Sequence, residues 1–421
     1  IDALGRGLSP YAFALIYPQD AHERLLIERL GAFDVTVERR AELVAFEEHA
    51  DSVRATIARP DGSTEVAEAA FLAGCDGASS TVRDALGIGF PGGTYTGLFF
   101  VADVDARGPS MNDEIHVDLE DADFAIVFPL QGAGRGRLVG VVRDDFGEEL
   151  NYDDVSGRAI ENLRLEVERV NWFSTYRVHH RVASRFRAGR VFLLGDAAHI
   201  HSPVGGQGMN TGIGDAVNLA WKLAAVVTGE ASGSLLDTYE PERIAFARRL
   251  VATTDRLFAI VTRRGAIARV VRTRLVPRIA PFLFRRVWMR RFFFRTVSQI
   301  GIEYHASRLS VGEAGDVRGG DRLPWMETGS GEDNFAPLAS LGWQVHVYGE
   351  IRPRLVDECR DLALPLHRFA WGAGARRVGI ARDALYLVRP DGYVALADEG
   401  ADPATLRAYL AERGITSKVQ P

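Results

Sequence analysis

Residues 190–223 read RVFLLGDAAHIHSPVGGQGMNTGIGDAVNLAWKL. Val191, Phe192, Leu193 and Leu194 form a short apolar run of the kind a buried strand carries, and Gly195-Asp196 ends it, since a residue without Cβ lets the backbone turn. The Asp196 carboxylate therefore stands at the strand's carboxyl end. Open α/β sheets bind ligands at that end, and an Asp there can accept hydrogen bonds from a sugar hydroxyl. After His199-Ile200-His201, Pro203 opens a loop containing Gly205, Gly206 and Gly208. So few side chains let a flat ligand lie against backbone N–H groups. From Asn210 onward Ile213, Val217, Ala220, Trp221 and Ala224 recur at spacings of three and four, which predicts a helix. Its free N–H groups and positive dipole end point at whatever the loop holds, so a ligand that carries or develops negative charge is expected there. An ordinary strand, turn and buried helix would account for any one of these features, but not for the ordered set.

A second stretch repeats the pattern. Residues 71–83, FLAGCDGASSTVR, run from an apolar strand to a small-residue turn holding Asp76, and Ser79 or Ser80 can cap the helix that follows. A basic residue at Arg83 suits the neighbourhood of a pyrophosphate. By contrast Gly87-Ile88-Gly89-Phe90-Pro91-Gly92, a formal G-x-G-x-x-G, follows a helix, carries a proline and opens no helix. It lacks the context of a dinucleotide loop.

Taken together, the run from Gly195 to Leu223 and the Asp76-Gly77 motif resemble those of the FAD-dependent aromatic hydroxylases, single-component flavoprotein monooxygenases similar to p-hydroxybenzoate, phenol and polyketide hydroxylases. The resemblance implies an α/β fold with a Rossmann-like FAD-binding domain, an inserted antiparallel sheet that forms the substrate pocket, and a thioredoxin-like C-terminal domain. It implies that Asp196, beside Gly195, holds the ribityl and pyrophosphate region of FAD. Pro203, Gly205, Gly206, Gln207, Gly208, Met209 and Asn210 would line the isoalloxazine, with the helix N-terminus facing the pyrimidine edge, where reduced flavin is negative. Asp76 and Arg83 would serve both FAD and the transient docking of NADPH or NADH. The spacing Gln19, Glu23, Leu26 resembles a segment whose Gln, here Gln19, approaches the flavin chain. Phe128, Pro129 and Pro203 are the candidate substrate contacts, although plain sheet core explains the first two as well.

The implied activity is hydroxylation of an electron-rich phenolic or polyketide ring, in which dioxygen adds to reduced flavin and the hydroperoxide delivers one oxygen. No residue compels the choice of a general base. Two alternatives remain: a flavoprotein that binds or protects an aromatic intermediate without hydroxylation, and a truncated, FAD-free binding module. The family's glycine fingerprint belongs to an N-terminal βαβ unit of about 30 residues. Nothing before Gln19 can be that unit, so the sequence is expected to begin inside a longer protein.

Composition sets the remaining bounds. The chain has 421 residues, 47% hydrophobic and 25% charged, which predicts two or three globular domains. Its net charge of −6 argues against nucleic acid as a partner. Cys75 and Cys359 make no disulfide framework, so a cytoplasmic location is expected, and no apolar run has the length of a membrane span. Residues 1–95 and 186–250 are assigned to FAD binding, 96–185 to the antiparallel substrate sheet, 251–314 to a helical basic segment, 315–332 to a linker and 333–421 to the C-terminal domain. Strands are predicted at 35–37, 43–47, 53–58 and 65–71, and at 99–104, 114–117, 124–130 and 137–142. A helix over 153–169 and a strand over 176–180 follow.

In the C-terminal unit strands at 343–348, 366–370, 378–381, 384–388 and 393–396 alternate with helices at 353–361 and 403–413. Cys359 has no C-x-x-C neighbour, so packing or a homodimer contact is expected of that domain instead of redox chemistry. His179, His180, His199 and His201 lack metal-ligand spacing, and no metal is expected. Residues 263–295 hold eleven arginines and no acidic residue, interleaved with Phe282, Trp288, Phe292 and other apolar side chains. Such arginines are expected to lie over apolar neighbours and pair with an acidic domain; a membrane-surface or partner-binding helix is the alternative.

Overall fold

The computed structural model describes residues 5–13, 15–112, 114–118, 125–142, 151–202, 206–262, 270–328 and 333–416. Pro203 and Gly205 lie outside the described residues, as do Phe124 and Arg263, Arg264 and Arg269.

The fold is mixed α/β. Its organising pair is the parallel ladder of Leu72–Gly74 with Val191–Leu193, in the register Leu72 to Val191, Ala73 to Phe192 and Gly74 to Leu193. Leu194 N–H continues it to the Gly74 carbonyl at 3.0 Å. Two motifs far apart in sequence thus leave the same end of adjacent strands. The strand Val191–Leu193 is covered on both faces, by Phe186, Leu219, Tyr239 and Ile244 among others, which is why it reads as a continuous apolar run. Where a Rossmann-like sheet was expected, the described residues give this ladder only one further strand, the antiparallel Arg187–Ala188. Beside it stands an antiparallel meander of Glu42–Glu48, Val53–Ala58 and Thr64–Ala69. Residues 35–37, predicted as a strand, are coil.

The inserted sheet has six strands in the order His199–Ile200, Glu166–Val182, Gly92–Arg107, Arg135–Val142, Ala125–Pro129 and His116–Asp118, all paired antiparallel. Alternation along Gly92–Arg107 sends Phe100, Ala102, Val104 and Ala106 into one core and Phe99 to the other face. The helix predicted over 153–169 spans only Tyr152–Leu163. Asn151 starts it with a capping box and Arg164, at φ 51°, ends it. Residues 166–169 instead begin the long strand, where Val167 and Val170 pair across to Ala106 and Val104. Because the sheet ends on His199–Ile200, it is joined directly to the Gly195-Asp196 turn.

The C-terminal sheet runs Val317–Arg318, Val311–Ala314, Val394–Asp398, Leu385–Val388, Gln344–Tyr348 and Leu366–Phe369. Helices Pro353–Asp361, Ala373–Arg377 and Pro403–Arg413 accompany it. Two sequence expectations fail here. Residues 315–328, described where a linker was predicted, are packed structure: Val317, Leu323 and Met326 are buried and Val317–Arg318 is a strand. Glycine and Asp serve tight turns there, not mobility. Residues 378–381 are not a strand, because Val378 closes the helix Ala373–Arg377 and Ile380 makes only an isolated bridge to Gly315.

His346 lies on the strand Gln344–Tyr348, one in from the sheet's edge, fully buried, with Nε2 2.9 Å from Gln344 Oε1. Burial, reinforced by His367, lowers it from 6.5 to about 3. Between those values the unfolded chain binds a proton that the folded one refuses, so stability falls as pH drops through that window. Urea unfolding midpoints measured from pH 7 to 4 should decline in the parent and flatten in His346→Gln. Equal slopes would show that other groups govern the acid limb.

No helix among the described residues is long and apolar enough to cross a membrane. The basic segment forms a π-helical turn, Val271–Leu275, and two short helices, Val276–Phe284 and Val287–Val297. The expected pairing with acidic groups is absent among the described residues: no ion pair engages Arg274, Arg278, Arg285, Arg286, Arg290, Arg291 or Arg295.

Candidate functional site

The turn after Val191–Leu193 is shaped by a backbone close approach. Gly195 has φ 57°, and a Cβ on Gly212 would stand 3.2 Å from the Gly195 Cα. Glycine at both positions lets the helix Gly208–Val227 press against the turn. Asp196 is exposed, and among the described residues no hydrogen bond or ion pair engages its carboxylate. The helix starts behind Gly206, at φ 63°, and no side chain caps it among the described residues. The helix packs against the Gly195–Ala197 turn, with its positive dipole end at Gly208.

What fixes this turn is a carboxylate that the sequence did not single out. Asp215, fully buried, accepts from Gly195 N–H at 3.0 Å, from His199 Nε2 at 2.7 Å and from Arg243 Nε at 2.6 Å. Burial alone would raise the Asp215 carboxyl, but Arg243, His199 and the Gly195 amide outweigh it and hold the group below its ordinary value. Arg243 in turn donates to Tyr304 Oη at 2.9 Å and to the Thr211 carbonyl at 3.1 Å. His199 is therefore a structural hydrogen-bonding group, and His179 is bound to Thr94 Oγ1 at 2.7 Å.

The helix itself is amphipathic in an inverted sense. The periodic apolar residues suggest a core face, yet Ile213 and Val217 are 40% and 51% exposed, while Thr211, Asp215, Asn218 and Lys222 are buried. Polar residues can occupy the inner face because every one meets a partner. Glu242 accepts from Asn218 at 2.7 Å, Lys222 at 2.8 Å, Ser307 at 2.6 Å and Arg389 at 2.8 and 3.0 Å. Arg389 and Trp221 also donate to Asp391, at 2.6 and 3.1 Å. Burial would raise Glu242, but Arg389 and Lys222 keep it ionised well below its usual range; burial pushes Lys222 down to about 8. The signal in the sequence was the spacing of Asp215, Asn218 and Lys222 along one side of an otherwise apolar helix.

The outward apolar face lines a cavity of about 780 Å³. Gly206, Asn210, Ile213 and Val217 form one wall, Phe128 of the six-stranded sheet another, and Phe293, Phe294 and Val297 a third. Tyr304, Arg322, Asp391 and Tyr393 bring the C-terminal sheet to its rim. Phe128, Gly206 and Asn210 are thus brought together, whereas Pro129 is half-buried in the sheet and is not part of this lining. Met209 is half exposed. Gln207 turns its amide inward to the Thr296 carbonyl at 3.1 Å, so its side chain ties the loop to the basic helix Val287–Val297. Gln19 sits on an exposed helix, Gln19–Gly31, without buried residues, and pairs with Glu23 at 3.3 Å.

Asp76 and Arg83 are spent on the turn itself. Asp76 accepts from Ser80 Oγ at 2.5 Å and Val82 N–H at 3.0 Å, and Ser80 caps the helix Thr81–Ala85. Arg83 is buried, donating to the carbonyls of Ala197 at 3.2 Å and Ala78 at 2.9 Å, over the Phe90 ring. It bolts one turn to the other. The Gly87-to-Gly92 stretch links that helix to the strand Gly92–Arg107.

Gly212→Ala tests the close approach. The added methyl improves helix propensity by about 1 kcal/mol while pushing the Gly195 turn outward, so stability should change little and flavin affinity should fall. Unchanged flavin retention on dialysis would refute the dependence.

A strand-end carboxylate, a helix N-terminus without a side-chain cap among the described residues, and an apolar chamber along the outward face of that helix thus occur together. The chain belongs to the FAD-binding domain family, whose model matches residues 4–254, and it is a flavin-dependent monooxygenase of the aromatic hydroxylase type that uses FAD. It is 32% identical to a flavin-dependent monooxygenase of Mycobacteroides abscessus, with 96% of this chain and 78% of that protein covered. It is also 32% identical to 6-methylpretetramide 4-monooxygenase of Streptomyces rimosus, covering 96% and 77%. Among solved structures, the OxyS anhydrotetracycline hydroxylase from Streptomyces rimosus superposes with a TM-score of 0.78 at 28% identity, covering 97% of this chain and 82% of that one.

Proposed function

We propose that this protein hydroxylates a fused-ring phenolic substrate of polyketide type, with NADPH or NADH as reductant and dioxygen as oxygen source. The observation that carries the reading is the cavity of about 780 Å³ that has Gly206 and Asn210 on one wall and Phe128 and Phe293 on others. A chamber of that size suits a polycyclic ligand better than a single ring. FAD, bound along Asp196 and the Gly206-to-Asn210 loop, supplies the activation of dioxygen. Asp196 has a free carboxylate for the ribityl hydroxyls, and the N–H groups of Gly208, Met209 and Asn210 stabilise negative charge at the flavin edge. Ile213, Val217, Phe293 and Phe294 exclude water and hold the ring.

The C-terminal unit is proposed to be thioredoxin-like. Strand, helix and parallel strand are followed by two antiparallel strands and a helix, in the sheet order Leu366–Phe369, Gln344–Tyr348, Leu385–Val388, Val394–Asp398. Burial pushes the Cys359 thiol up to about 12, so it is inert at neutral pH and the unit acts by packing.

The test is a visible absorption spectrum followed by turnover. Flavin bands, NADPH or NADH oxidation stimulated by polycyclic phenols, and product heavier by one oxygen are expected. Ligand binding and coenzyme oxidation without hydroxylated product would replace this reading with that of a protein that binds an aromatic intermediate.

A further inference from the structure

We propose that the helical hairpin of Val276–Phe284 and Val287–Val297, with the preceding turn Val271–Leu275, docks on an anionic lipid surface. The first ground is charge. Residues 263–295 carry eleven arginines and no acidic residue within a chain of net charge −6. Arg274, Arg278, Arg285 and Arg286 have no ion-pair partner among the described residues; Arg278 merely donates to the Arg274 carbonyl at 2.7 Å, and Arg286 lies 5.3 Å over the Phe282 ring. A surface this basic on an acidic protein sets a strong orienting field toward negative surfaces.

The second ground is apolar exposure on the same helices. Phe282, Trp288 and Phe292 are 57%, 62% and 65% exposed, and the helix Val276–Phe284 has no buried residue. Arginines interleaved with Trp and Phe on short helices suit the bilayer interface, where rings enter the headgroup layer and arginine stems reach back to phosphate. Neither helix can span a bilayer, so the hairpin lies in the plane of the surface. An acidic protein would need one shaped face; the helix Val276–Phe284 has no buried residue and carries exposed arginine and apolar side chains together, which lipid accommodates more readily. Phe293, Phe294 and Val297, on the second helix, wall the large cavity, so docking sets that cavity close to the lipid. The substrate consequence of that proximity rests on the proposed function; the docking itself does not.

The experiment is flotation of the full chain with vesicles of phosphatidylglycerol and phosphatidylcholine in equal parts, against phosphatidylcholine alone. Binding to the mixed vesicles only, abolished by high salt, is expected. The quadruple variant R274E/R278E/R285E/R286E should lower partitioning at least about 100-fold, and Trp288→Ala with Phe292→Ala at least about tenfold. Circular dichroism and flavin content check the fold of each; should the quadruple variant not fold, the aromatic pair decides. Absence of binding by the parent protein overturns the proposal. So does undiminished binding by the folded variants, or capture of an acidic carrier protein while vesicles are ignored. Vesicle binding without hydroxylation sinks the substrate reading and leaves docking intact; hydroxylation without vesicle binding does the reverse.

Discussion

Asp215→Asn is expected to destabilise the protein by about 3–5 kcal/mol, the range for removing one partner of a buried ion pair. The Arg243 guanidinium would lose the charge 2.6 Å from its Nε, and an amide cannot accept from Gly195, His199 and Arg243 together. The Gly195-Asp196 turn would then lose its tether to the helix, so flavin content should fall with stability. Denaturant unfolding and the flavin-to-protein absorbance ratio measure both. A stable, fully yellow variant would mean that the parallel ladder and the Arg83 bolt suffice to hold the turn. Asp215 and Glu242 are both held below their ordinary values of 3.8 and 4.5. Their contribution is complete above those values and is lost as pH falls through the lower folded ones.

Arg389→Ala should have an effect of the same size, about 3–5 kcal/mol, but in a different place. Arg389 is fully buried and bridges Glu242 of the helix Tyr239–Thr262 to Asp391, which also receives Trp221. Without it, Lys222 is the one cation among the described residues that remains paired with these carboxylates, through Glu242. Arg389→Lys should rescue little, because a single ammonium cannot make the forked contacts to both acids. The C-terminal unit would separate from the flavin-site helix, which limited proteolysis would report as early release of a C-terminal fragment. Since Asp391 and Tyr393 border the cavity, KM should rise more than kcat falls. Parent-like protease resistance with parent-like KM would show that hydrophobic packing, including the Trp221 and Trp343 rings 5.5 Å apart, carries the junction alone.

Much of the site could be read before any geometry. The apolar run ending at Gly195-Asp196, the parallel motif at Asp76 and the helix behind the glycine loop are local patterns, and each occurs where its residues predict. The helices Pro353–Asp361 and Pro403–Arg413 and the alternating strands of the inserted sheet were equally legible, because period and turn chemistry act over a few residues. The errors share one cause. Residues 315–328 have a linker's composition, but burial of Val317, Leu323 and Met326 is decided by strands and helices far along the chain. The contact of Arg83 with the Ala197 carbonyl was illegible for the same reason, because that acceptor comes from a turn more than a hundred residues later.

The sequence by itself determined that a strand-end Asp, a side-chain-poor loop and a helix N-terminus follow one another, and hence that a flat anionic cofactor has a place to bind. Those properties belong to the backbone and to residues within one turn of each other. Only the tertiary structure decided which face of the helix Gly208–Val227 is inside. Hydrophobicity alone would bury Ile213 and Val217, but Arg243 brings an opposite charge to Asp215 and Glu242 brings one to Lys222, and a buried charge is tolerated where its partner is also buried. That arrangement turns the apolar stripe outward into the cavity, where a ligand can cover it.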